Sequence, residues 1–150
     1  MTTTTKSIVS HLNTLIQTCK DGQKGYTDAA EHTKDLELRT LFTKYAAQRT
    51  QFATELQDLV SVYGGEPETE SSVASAVHRG WIDFKSLLTG HSDHAVLAEC
   101  ERGEDSAKAT FRDVLEDNEL PAEVLRLVQE QYEQIQQAHD RIKALRDAAK

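Results

Sequence analysis

Apolar residues recur at alternating three- and four-residue spacing through four long stretches of the chain, the pattern of helices that each bury one face. Val9, Leu12, Ile16, Cys19, Gln23, Tyr26 and Ala30 mark the first, from about Ser7 to His32, with Gln23 as its polar interruption. After a polar turn at Lys34 and Asp35, the second carries Leu38, Phe42, Tyr45, Arg49, Phe52, Leu56, Leu59 and Tyr63. Arg49 interrupts this stripe, and Gly64, Gly65 and Pro67 stop the helix. The third begins near Ser92, a suitable N-cap, and carries Leu97, Cys100, Glu104, Ala107, Phe111 and Val114 to an end near Asn118, with Glu104 as the polar break. Pro121 suits the first turn of the fourth. There Val124, Val128, Gln131 or Tyr132, Ile135, Ala138 or His139, Ile142 and Leu145 continue almost to the C-terminus. No stretch alternates with the two-residue period of a strand.

About thirty residues, Gly64 to His91, separate the second and third helices, too many for a structureless loop in a compact domain. Val73, Val77, Trp81, Phe84 and Leu88 form a helical stripe there, which predicts a shorter fifth helix from about Ser71 to Leu88. The expected architecture is all-α: a disordered tail at residues 1–6, then one domain at residues 7–150. Four similar helices, two short turns and one long crossover define the connectivity of a ferritin-like four-helix bundle.

Composition narrows the function. The chain has 150 residues, 38% of them hydrophobic, and 17 basic against 25 acidic side chains leave a net charge of -8. Such a surface repels a phosphate backbone or an anionic membrane, so neither nucleic acid nor a membrane is an expected partner. No run approaches the roughly 18 apolar residues of a membrane span, and MTTTTKS carries no apolar stretch after its Lys, which points to a cytoplasmic protein. The two cysteines, Cys19 and Cys100, form no Cys-x-x-Cys pair and are expected as free core thiols. No Ser or Cys nucleophile with a base, no phosphate loop and no paired glycosidase carboxylates are present, which removes hydrolase and kinase readings.

The polar interruptions carry the remaining chemistry. KDGQKGYTDAAE in the first helix and ERGEDSAKATFRD in the third form a weak repeat, each with Gly followed by a polar residue: Gly22-Gln23 and Gly103-Glu104. The sequence here resembles rubrerythrin-type ferritin-like proteins, whose Gly-Glu supplies a metal-binding carboxylate from each of these helices. LFTKYAAQRTQFATEL resembles that family's Phe-x-x-x-Ala-x-x-Glu-x-x-His-Ala segment, which sets Arg49 in the place of the ligand Glu and Phe52 in that of the ligand His. EQIQQAHDRIKAL offers Gln136-x-x-His139 for Glu-x-x-His. Of the ligand types, only Glu104 and His139 remain. KDGQKGY, AAQRTQF, VHRGWIDFKSLLTG, ECERGED and AHDRIKAL are similar to an uncharacterised bacterial family, domain of unknown function 2383, of the ferritin-like class. That resemblance implies a fold and no reaction.

These residues predict a degenerate di-metal site, a polar core layer of Gln23, Arg49, Glu104, Gln136 and His139, with Arg49 serving Glu104 as counter-charge where a metal would otherwise stand. Such a protein is expected to need no cofactor, to be non-catalytic, and to act by association with itself or another protein. The competing expectation is an iron- or zinc-binding storage or peroxide-related protein, with Glu101, Glu104 and His139 as a reduced ligand set.

Overall fold

Each helix boundary has a local chemical cause. In the computed structural model the described residues are 5–66, 92–117 and 119–149. They form α1 (Thr5–His32), α2 (Leu36–Val62), α3 (Asp93–Leu115) and α4 (Ala122–Ala148), with no strand among the described residues. α1 starts at Thr5, inside the stretch expected as tail. Asp35 caps α2 by accepting from the backbone N–H groups of Glu37 and Leu38, which satisfies donors the helix leaves open at its start. Gly64, at φ 75°, closes α2: its N–H donates to Ser61 O and that of Gly65 to Val60 O, both at 3.0 Å. This paired bonding is the Schellman closure. Gly65 is needed for space as well, because a Cβ there would lie 2.6 Å from the Val9 side chain. Ser92 caps α3 through Ala95 N, and Pro121 stands one residue before α4 at the N-cap. The shorter helix expected over residues 71–88 lies outside the described residues.

Contacts at the two ends of the bundle fix the directions. Asn13 donates to Glu66 O at 3.0 Å, and Tyr63 to Glu123 Oε1 at 2.6 Å, so the start of α1, the end of α2 and the start of α4 share one end. His11 and Asp117 pair at 3.2 Å, which adds the end of α3. At the other end Thr33 donates to Asp93 Oδ1 at 3.3 Å. Thus α1 and α2 form one antiparallel hairpin and α3 and α4 another, and α1 runs antiparallel to α3. The chain leaves α2 at one end and begins α3 at the other.

The buried apolar residues divide into two clusters. One, near the start of α1, holds Leu12, Ile16, Phe52, Leu56, Phe111, Val128 and Ile135, among others. The second holds Tyr26, Phe42, Leu97, Cys100, Ala138 and Ile142. Arg49 and Glu104, buried but not apolar, stand where these halves meet.

Candidate functional site

Arg49 reaches Glu104 through both ends of its guanidinium: Nη1 donates to Oε1 at 2.8 Å and Nη2 to Oε2 at 2.6 Å. Tyr26 OH donates to Oε2 at 2.5 Å, and Arg49 Nε donates to Gln48 Oε1 at 3.1 Å. Both carboxylate oxygens are thereby engaged. The guanidinium carbon also lies 5.5 Å from the centre of the Tyr26 ring, a cation-π distance. The pair is sealed, with side chains 1% and 0% exposed. Gly22 makes the arrangement possible, since a Cβ there would lie 3.3 Å from Arg49 Nη1 and 3.4 Å from its Cγ. A larger residue on α1 would occupy the space of the guanidinium.

Electrostatics follow from this burial. Desolvation alone would depress the Arg49 pKa, but the charge and hydrogen bonds of Glu104 outweigh it and raise the value. Burial, then the negative charge of Glu104, pushes the Tyr26 phenol well above its ordinary value. Tyr26 therefore stays a donor. Burial pushes the Cys19 thiol up to about 12 and the Cys100 thiol well above its usual range. Both cysteines are free, buried and poor in thiolate.

The other residues of the expected five-residue layer stand elsewhere. Gln23 is half-buried and donates to Thr27 on its own helix. Adjacent helical residues are separated by about 100°, so with Gly22 against Arg49 the next side chain turns away. Gln136 bonds Asp140 at 3.1 Å, also within its helix. His139 faces α3 from α4, but away from Glu104: its Nε2 lies 2.8 Å from Asp105 Oδ1 and 3.9 Å from Glu101 Oε2, and its Nδ1 lies 3.1 Å from Asp140 Oδ1. Glu101 and Asp105, four residues apart, are neighbours on the surface of α3. Of the expected set of Glu101, Glu104 and His139, the structure brings Glu101 and His139 together with Asp105, while the oxygens of Glu104 are held by Arg49 and Tyr26.

Sequence reasoning had Tyr26 only as a core residue and left out Asp105 and Asp140. A buried phenol needs a hydrogen-bond partner, which was the available signal for Tyr26. For Asp105 the signal was its four-residue spacing from Glu101. Gln131, one of two alternatives for the fourth stripe, is 1% exposed and donates to Phe52 O at 3.3 Å and Glu55 Oε1 at 3.0 Å. No helix among the described residues is long and apolar enough to cross a membrane.

Residues 7–117 match the family model described as Domain of unknown function (DUF2383), a span that includes Tyr26, Arg49 and Glu104 and stops short of α4. No curated relative matches the chain.

Proposed function

This chain belongs to the family described as Domain of unknown function (DUF2383), and from that premise we propose that it is a ferritin-like bundle whose di-metal layer has become a buried ion pair. Its role is that of a non-catalytic cytoplasmic scaffold, acting by association with a second copy or another protein. The ferritin-like reading is supported by the two antiparallel hairpins and by a chain that leaves α2 and begins α3 at opposite ends.

One observation carries the functional reading: the bidentate contact of Arg49 with Glu104 at the middle of the bundle. A di-metal centre needs several carboxylates to neutralise two cations. In this layer the carboxylate is already neutralised by a guanidinium that cannot lose its proton, and Tyr26 adds a third donor at Oε2. The residues of this layer do not fit a di-metal centre. A rubrerythrin-like storage or peroxide activity would have to use another set of side chains.

The test pairs ferrous oxidation with association. Purified protein is expected to oxidise ferrous ion with peroxide no faster than buffer, and to enter a defined complex when cross-linked in its host. Ferrous oxidation that turns over and is abolished by Glu104→Gln would contradict the reading.

A further inference from the structure

We propose that Glu101, Asp105 and His139 form a divalent-metal site of the zinc class on the outer α3/α4 seam, separate from the central ion pair and not dependent on its interpretation. The three residues each offer a ligand atom within 4.8 Å of the others. A tetrahedral zinc ion with bonds of about 2.1 Å sets its donors about 3.4 Å apart, so small adjustments suffice. Asp105, with its side chain 58% exposed, is free to make the largest. One imidazole nitrogen and two carboxylates suit zinc better than magnesium, which prefers oxygen ligands and retained water.

Two observations separate this cluster from an ordinary patch of surface acid. Glu101 is only 9% exposed, and its carboxylate is set between Arg146 Nη1, 2.6 Å from Oε1, and His139 Nε2, 3.9 Å from Oε2. The second observation concerns the imidazole, which meets a carboxylate at each nitrogen, Asp140 at Nδ1 and Asp105 at Nε2. A neutral ring has one N–H, so one of these contacts sets a lone pair against an anion unless a second proton or a metal ion lies between. A metal at Nε2 with Nδ1–H donated to Asp140 satisfies both, and a carboxylate behind a ligating histidine is the usual means of orienting it. Arg146 supplies the resident positive charge and competes with the ion.

Zinc titration by calorimetry, with magnesium as the control ion, tests the site on the whole chain. Wild type is expected to bind one equivalent of zinc and to leave magnesium unbound. Asp105→Asn, an exposed change that keeps the shape of the side chain, is expected to weaken zinc at least tenfold while leaving the melting temperature of the metal-free protein unchanged. Asp140→Asn, which acts through His139, is expected to weaken it by about ten- to a hundredfold. Arg146→Gln is expected to tighten it severalfold, a gain that a merely structural salt-bridge network would not give. Absence of zinc binding, or binding that Asp105→Asn and His139→Gln both leave unchanged, would overturn the site.

Discussion

The central pair and the outer cluster use the same kinds of side chain and reach opposite states. Glu104 is fully buried, meets one guanidinium in two aligned hydrogen bonds, and has Tyr26 as a third donor. One residue further along α3, Asp105 is half in solvent and shares a histidine with Glu101 and Asp140. In the first region each charge has a directed partner. In the second, three carboxylates share one imidazole and one arginine, which is itself also engaged with Asp147. Burial alone does not separate a structural network from a ligand site, since Glu101 is only 9% exposed and still belongs to the outer cluster. What separates them is whether donors and acceptors match in number.

Breaking one partner in each region should give the largest contrast. Glu104→Ala strands the Arg49 charge in the core and is expected to cost about 3 to 5 kcal/mol. Asp105→Ala removes a largely exposed partner and should cost less than about 1 kcal/mol. Urea denaturation of the two variants checks both. Comparable losses would remove the distinction between the regions.

Tyr26→Phe sharpens the description of the central pair. It deletes one hydrogen bond to a charged acceptor and keeps the ring, so a loss of about 1.5 to 3 kcal/mol is expected in the same measurement. A variant as stable as wild type would mean that the phenol contributes nothing to Glu104.

The fold was legible where the cause was local. Ser92 as a cap and Gly64-Gly65 as a stop each act within a few residues and take their expected roles, while Asp35, expected only as part of a polar turn, caps α2. Arg49 and Glu104 were legible for a different reason, since each is a charge in the middle of an apolar stripe and the two are of opposite sign. Gln23, Gln136 and His139 were harder. A helical stripe is wide enough to hold neighbouring residues, and a shift of one position turns a side chain by about 100°, from core to edge. Periodicity could not choose between Gly22 and Gln23 as the residue facing Arg49. The outer cluster depended on which face of α3 meets α4, which is a property of packing between helices and not of either sequence.

Alkaline titration probes the core at smaller amplitude. The buried Cys19 thiol, pushed from an ordinary 9.0 up to about 12, favours the folded state only while protonated. Its contribution is complete below pH 9 and is lost as pH rises through about 12; Tyr26, raised above its ordinary 10.0, acts in the same direction. Melting temperature should therefore fall progressively above pH 9. A stability flat to pH 12 would mean that these groups are accessible to solvent in the folded protein.

The smallest expected effect is on thiol reactivity at neutral pH, where Cys19 and Cys100 should resist a thiol reagent until the bundle unfolds. Rapid labelling of either under native conditions, followed by peptide mapping, would place it outside the core.

The most direct measurement is a double-mutant cycle on the central pair, with Arg49→Met, Glu104→Leu and the double variant compared by urea denaturation at pH 7. Each single change leaves a buried charge without its partner, whereas the double change leaves two apolar side chains of similar bulk. The expected result is a double variant clearly more stable than either single one, with both singles at least about 3 kcal/mol below wild type. Additive losses, with no coupling between the two positions, would contradict the replacement of a metal layer by an ion pair.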